Sequence, residues 1–241
     1  YNRQSMMSSC SAPLHWGVSR LMDRSLGMWG LDNVIHVPAQ DVQDGDFPTV
    51  VSPNPENAEA LTLAIEKAKK VNADIVLAAD PDADRIALVV KAGEGEYRLV
   101  NGNQMLVLLL NYIITRNVEL GPIKGNEYCV KTIVTTETVK RIADANNVKC
   151  CDCYTGFKWI ANVMRDMEDK GRYIGGGEES YGFLAETFVR DKDSISANSL
   201  LAEMAAWAAD KGMNLFQLLV ACYDKYGFPH EPGISAVRHG K

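Results

Sequence analysis

One stretch of this sequence is chemically incomplete as written: Ala79-Asp80-Pro81-Asp82-Ala83-Asp84-Arg85, flanked by apolar runs on both sides. In near-extended chain, residues two apart point the same way, so Asp80, Asp82 and Asp84 are expected to converge. Three carboxylates brought to one point raise one another's pKa or push apart unless a cation joins them. Mg2+ suits such hard oxygen donors and keeps positions open for water or a phosphoryl oxygen. An EF-hand loop also starts Asp-x-Asp-x-Asp, but needs Gly at its sixth position and Glu at its twelfth, where this chain has Arg85 and Lys91. Arg85 itself is suited to gripping a phosphate through two parallel hydrogen bonds. A solvated acidic turn is the alternative reading.

A second stretch, Gly175-Gly176-Gly177-Glu178-Glu179-Ser180-Tyr181-Gly182, has small residues that let backbone approach a ligand closely. It lacks the Gly-Lys-Ser/Thr of a Walker loop and the third Gly of a dinucleotide fingerprint. Adjacent Glu178 and Glu179 face opposite sides of an extended chain and cannot flank one glycosidic bond. Glu178 can accept hydrogen bonds from vicinal hydroxyls and Ser180 can add another, so a polyhydroxylated ligand fits, as does a plain Gly-rich turn. Thr155-Gly156-Phe157-Lys158 could present a hydroxyl and a cation to the same ligand, or could be an ordinary capped helix start. Arg190-Asp191-Lys192-Asp193 reads by default as a solvated charge run.

The elements that must hold these loops alternate between strand and helix signals from end to end, the pattern of an α/β protein. Leu14, Val18, Leu21 and Met28 give an early helical stripe, followed by a strand around Val34 to Val37. Asn54 as N-cap and Pro55 at the first helical position open a helix running to about Val71. A buried strand at 74–79 precedes the acidic loop, and 86–90 with 97–100 forms a hairpin around Gly93-Glu94-Gly95. Helices near 103–116, 136–146, 157–170, 196–211 and 215–226 alternate with strands at 128–133, at 148–153, which reads as buried, and from Tyr173. Two similar-sized units follow, residues 1–98 and 99–227, each a mostly parallel or mixed sheet packed by helices, with 228–241 as a tail. Their shared strand–helix order hints at a structural repeat.

With 25 Lys and Arg against 31 Asp and Glu, the net charge of −6 leaves no excess of cations for a nucleic-acid backbone. The longest apolar run, Met105 to Ile114, falls well short of the roughly 20 residues that cross a bilayer. Six irregularly spaced cysteines make no disulfide framework, and Cys150-x-x-Cys153 has no second pair or nearby His to complete a zinc site. Reduced thiols in a cytoplasmic protein are expected. The start, Tyr1-Asn2-Arg3-Gln4-Ser5, has neither an initiator Met nor a signal peptide and reads as a cut inside a longer chain.

Taken in order, these stretches resemble the α-D-phosphohexomutase family, the phosphoglucomutases and phosphomannomutases. Ala12-Pro13-Leu14-His15, Asp44-Gly45-Asp46-Phe47-Pro48-Thr49-Val50, Ser52-Pro53-Asn54-Pro55-Glu56 and the acidic loop look like its second domain. Thr155-Gly156-Phe157-Lys158, Gly177 to Gly182 and Val189-Arg190-Asp191-Lys192-Asp193 look like its third. The resemblance implies a Mg2+-dependent, cytoplasmic enzyme moving phosphate between O1 and O6 of a hexose through a phosphoserine and a hexose bisphosphate. It assigns Asp80, Asp82 and Asp84 to the metal, Arg85 to the phosphoryl group, Thr155, Gly156, Lys158, Glu178 and Ser180 to the sugar, and Lys192 to proton handling. The hexose phosphate, the bisphosphate and the flanking domains of the parent chain are the implied partners. These 241 residues contain no Ser-His-Asn-Pro nucleophile loop, Ser52 lying in Ser-Pro-Asn-Pro, and His15 is followed by Trp16-Gly17 in place of the family's Gly-x-Gly. Turnover by this chain alone is therefore not expected. A haloacid-dehalogenase-type phosphatase with Asp80 as nucleophile, and a noncatalytic phosphosugar-binding protein, are the competing readings.

Overall fold

The computed structural model describes residues 7–14 and 18–230, and for Val18 and Ser19 the backbone alone. In the first unit β1 (Ser9–Ala12), β2 (Val34–His36), β3 (Ile75–Ala79), β4 (Ile86–Gly93) and β5 (Glu96–Val100) form one sheet in the order β2-β1-β3-β4-β5. β1 runs parallel to β2 and β3, whereas β3, β4 and β5 pair antiparallel. In the second, β6 (Glu127–Thr132), β7 (Lys149–Cys153), β8 (Arg172–Gly177) and β9 (Phe183–Leu184) are ordered β7-β6-β8-β9, with only β9 antiparallel. Both sheets thus set their first strand between their second and third and add an antiparallel fourth. Two α/β units with mixed, mostly parallel sheets are present as the sequence suggests.

β3 reads Ile-Val-Leu-Ala-Ala and is buried throughout, the signature of a strand covered on both faces. Its alternate residues feed different cores: Val76 and Ala78 pack with Leu61, Ala64 and Ala68 of the segment running into α2 (Thr62–Val71). Ile75, Leu77 and Ala79 face a much larger cluster that also holds residues of α3 (Gly102–Leu120), α6 (Ser194–Asp210) and α7 (Leu215–Tyr226), with Ile174 and Phe183 of the second sheet. α3 and α6 are apolar on nearly every side, as helices enclosed within a core must be. α6 reaches the first unit directly, through Asn198 Nδ2 donating to the Ala78 carbonyl at 3.2 Å. Ser199 Oγ also lies 2.8 Å from Ser25 Oγ on α1 (Val18–Met28). A reciprocal capping box, Asn101 with Gln104, opens α3. α4 (Thr138–Ala145) and α5 (Phe157–Asp166) complete the second unit.

Four expectations are corrected. Leu14 lies before α1 in a left-handed turn, φ 44°, while Leu21 and Met28 are 57% and 81% exposed. The buried face of α1 is instead Met22 and Leu26, a different phase of the same helix. Asn54 and Pro55 do not open a helix, because Asn54 Oδ1 accepts the Glu56 N–H at 3.0 Å in a local turn. A 3-10 turn, Ala58–Leu61, leads into α2 instead. β7 is an edge strand and only partly buried, since strand order cannot be read from apolar content. α5 ends at Asp166, well before Lys170, with the chain continuing in turns to Lys170. His15-Trp16-Gly17 and residues 231–241 of the expected tail lie outside the described residues.

The first residue of α3 lies directly against the 175–182 loop: a Cβ on Gly102 would stand 1.8 Å from the Glu179 carbonyl oxygen. Gly102→Val should therefore lower stability by about 2 kcal/mol or more through forced overpacking against backbone. Gly45→Ala, where a Cβ meets nothing within 4 Å, should be close to neutral. Urea melts of the two variants against the parent chain check this.

Candidate functional site

Asp80 follows the last residue of β3 and is completely buried. Its charge is compensated by the turn that follows it. Oδ1 accepts the backbone N–H groups of Asp84 at 3.1 Å and Arg85 at 2.9 Å, and Oδ2 accepts Arg85 Nε at 2.6 Å. Burial pushes the Asp80 carboxyl up to about 6, against the lowering effect of the Arg85 hydrogen bonds and charge. The Ala83 N–H donates to the Asp80 carbonyl at 3.1 Å, and Ala83 takes a left-handed φ of 62°. Asp80, Asp82 and Asp84 thus converge through a tight turn, whereas the expectation was an extended strand.

Carboxylate oxygens of the three lie within 4.8 Å of one another. Asp84 Oδ1 is buried and has no hydrogen-bond partner, with Arg85 Nε standing 3.6 Å away. That donor set fits a divalent cation of the Mg2+ type, which would satisfy the orphaned oxygen and offset the mutual repulsion.

The Gly-Glu loop lies next to the acidic loop, Glu178 and Asp84 both reaching Lys192. Glu178 is buried at 5% exposure, and burial raises its pKa against the opposing charge of Lys192. Gly156 holds φ 109°, a conformation that an L-residue adopts only with strain, and it stands at the α5 N-cap position with no side-chain cap. Thr155 therefore does not cap α5, and Gly156 takes that position. Glu179 faces the other way, accepting from Thr132 Oγ1 at 2.9 Å and Thr135 Oγ1 at 3.1 Å.

Lys192 joins the two loops: its Nζ stands 3.1 Å from Asp84 Oδ2 and 3.4 Å from Glu178 Oε1. Burial works against its charge, but the hydrogen bond and charge of Asp84, with Glu178 beyond, raise its pKa overall. Asp193 caps α6 by accepting the Ile195 and Ser196 N–H groups, and the Ser194 N–H donates to the Ala83 carbonyl at 2.9 Å. The Tyr181 carbonyl accepts the Ile86 N–H at 3.1 Å, a second backbone tie between the loops. The stretch 190–193 is therefore structured, not a solvated charge run. Arg190 turns away to Glu168 at 2.6 Å.

Among the expected site residues, Asp80, Asp82, Asp84, Arg85, Glu178 and Lys192 form one connected group, while Gly156 stands at the start of α5. Ser180 is half-buried, Thr155 and Lys158 are exposed, and no hydrogen bond among the described residues ties these three to that group. Two features escaped the sequence reading. Asn54 and Glu56 reach Arg85, Asn54 Oδ1 accepting from Nη1 at 3.3 Å and Glu56 Oε1 standing 3.5 Å from it. Lys131, on the central strand β6, is fully buried yet pairs with Glu137 at 2.8 Å and Asp152 at 2.9 Å. A lysine directly after the apolar Tyr128-Cys129-Val130 run of this strand was the available signal for the latter.

Comparison with known proteins matches two family profiles. Residues 13–93 match the phosphoglucomutase/phosphomannomutase alpha/beta/alpha domain II and residues 101–226 match domain III. A phosphoglucomutase of Staphylococcus aureus strain N315 is 39% identical over 191 residues, 79% of this chain and 34% of that protein. The chain spans about a third of the length of the curated relatives it matches. A phosphoglucomutase/phosphomannomutase family protein from Burkholderia thailandensis superposes with a TM-score of 0.72 at 20% identity, covering 90% of this chain and 42% of that one. An N-acetylphosphoglucosamine mutase from Aspergillus fumigatus, crystallised with GlcNAc-6P and magnesium, gives a TM-score of 0.58 at 16% identity over 91% of this chain and 51% of that one. Those two structural likenesses speak to the fold alone.

Asp82 is exposed and makes no hydrogen bond among the described residues, so Asp82→Asn should leave folding intact while weakening Mg2+ or Mn2+ binding at least about tenfold in calorimetric titration. Lys192→Met removes the cation from a buried Glu178 and a half-buried Asp84. After allowance for partial solvent screening it should cost about 1–2 kcal/mol in urea unfolding.

Proposed function

The chain belongs to the phosphoglucomutase/phosphomannomutase family, spanning its domains II and III, and from that premise we propose that its two units form the metal and sugar walls of a phosphohexomutase active site. The enzyme would move phosphate between O1 and O6 of a hexose. The observation that carries this reading is the Lys192 bridge, which sets the acidic loop and the Gly-Glu loop against each other across a single ammonium group.

In this reading a hexose phosphate enters with its hydroxyls toward Glu178 and Ser180, and with Thr155, Gly156 and Lys158 along the same wall. Glu178, largely desolvated beside Lys192, accepts hydrogen bonds from vicinal hydroxyls, an arrangement that serves the sugar in either of two orientations. The nucleophile is a phosphoserine supplied by a part of the full-length protein outside these 241 residues. Its phosphoryl group passes to the free hydroxyl to give a hexose bisphosphate, which turns over before the serine takes back the other phosphate. Arg85, its Nε and Nη1 engaged by Asp80, Asn54 and Glu56, offers Nη2 to the phosphoryl oxygens. Lys192, held as an ammonium by two carboxylates, handles the proton at the sugar hydroxyl, so that in each transfer the proton given up by the attacking hydroxyl is matched by one delivered to the oxygen from which phosphate departs. Mg2+ held by Asp80, Asp82 and Asp84 would neutralise charge developing on the phosphoryl group.

Asp80 as a phosphatase nucleophile is poorly supported, because both of its oxygens are already engaged by Arg85 and the loop backbone. A sugar-phosphate enzyme of this kind belongs in the reducing cytoplasm, in keeping with six free cysteines.

The longest natural chain containing these residues should interconvert glucose 1- and 6-phosphates or the mannose pair in a coupled assay. Glu178→Gln and Asp82→Asn should each lower its kcat/KM by about 100-fold or more. The 241 residues alone should show no turnover. Failure of the longer chain to isomerise any hexose phosphate would overturn the proposal, and turnover by the short chain would overturn the requirement for an outside serine.

A further inference from the structure

Arg85 is held on two edges, and only one of them belongs to the acidic loop. Its Nε donates to Asp80 Oδ2 at 2.6 Å and lies 3.6 Å from Asp84 Oδ1. Its Nη1 reaches across to another segment, donating to Asn54 Oδ1 at 3.3 Å with Glu56 Oε1 at 3.5 Å. Nη2 makes no hydrogen bond or ion pair among the described residues.

That segment is itself rigid. Asn54 Oδ1 uses its other lone pair on the Glu56 N–H at 3.0 Å, closing a turn around a buried Pro55 and preceded by Pro53, each with its own φ fixed. A guanidinium is planar, so anchoring Nε and Nη1 on different chain segments removes the rotation that would otherwise swing the free nitrogen. We propose that Asn54 and Glu56 are positioning residues that lock the Arg85 guanidinium, leaving Nη2 to meet the migrating phosphoryl group. Asn54 supplies the directional acceptor. Glu56 supplies a counter-charge that keeps Nη1 turned away from the Asp82 and Asp84 carboxylates. Positioning of this kind acts through Arg85 alone, since neither residue touches the acidic cluster in any other way. The idea rests on the mutase reading for its phosphoryl group, but not for the locking itself.

The test is a double-mutant cycle in the longest natural chain containing these residues, read by hexose-phosphate isomerisation. Asn54→Ala should lower kcat by about tenfold with little change in KM, and Asn54→Asp, which keeps an acceptor oxygen, should restore most of it. Glu56→Gln should lower kcat less. In an Arg85→Ala background Asn54→Ala should have no further effect. Equal losses in the two backgrounds, or full activity of the Asn54→Ala/Glu56→Gln double variant, would overturn the proposal.

A second readout is independent of activity. Side-chain NMR of the 241-residue chain should show distinct Arg85 Nη1 and Nη2 signals in slow exchange by rotation about the guanidinium, which becomes fast in the double variant, with backbone shifts elsewhere unchanged. Unchanged exchange would overturn the locking even if isomerisation is found. Locked Arg85 in a protein without isomerase activity would leave the locking standing and overturn only the mutase reading.

Discussion

A carboxylate with no access to water has to find its donors within the protein, and the arrangement around Asp80 follows from that requirement. β3 is buried along its whole length, so the residue that ends it is buried as well. Two backbone N–H groups and the Arg85 side chain are drawn back to Asp80 to meet its charge, which bends the chain through Ala83 and leaves Asp82 and Asp84 at the mouth of the turn. The clustering of acidic groups is thus a by-product of satisfying the deepest one. The orphaned Asp84 oxygen is the part of that demand that the polypeptide leaves unmet.

The opposing wall is held at a set separation because the two sheets do not own separate interiors. One apolar cluster runs from Leu77 and Leu88 of the first sheet, through Leu108 and Leu201, to Ile174 and Phe183 of the second. α6 is the shared element, starting at the acidic turn through the Ser194–Ala83 hydrogen bond and burying most of its length between the layers. A lysine placed just before that helix can therefore bridge both loops without relying on flexible chain.

Much of this was legible in the sequence wherever a signal is local. Continuous apolar runs gave the strands, and α7 falls where its pattern placed it. Legibility failed where a side chain is recruited from a distance. Asn54 has the right residue type for a helix cap, but its oxygen is spent on a turn and on Arg85, 31 positions away. Leu14, Leu21 and Met28 share a helical spacing, yet the helix begins after Leu14 and buries Met22 and Leu26 instead. The edge position of β7 depends on strand order, which no single strand encodes. In the site, the aspartates announced themselves by spacing, whereas Lys192 was singled out only through family resemblance, because its importance lies in contacts with residues 84 and 178.

The common interior has a bearing on how such a protein could change over generations. Two sheets with matching strand order look as though either could be exchanged for a counterpart from another gene. But α6 offers small side chains, Ala197, Ala202, Ala205 and Ala206, to a surface shaped by both layers. A transplanted half would bring bulges and hollows that the recipient had never accommodated, so the pair is expected to be inherited as one block.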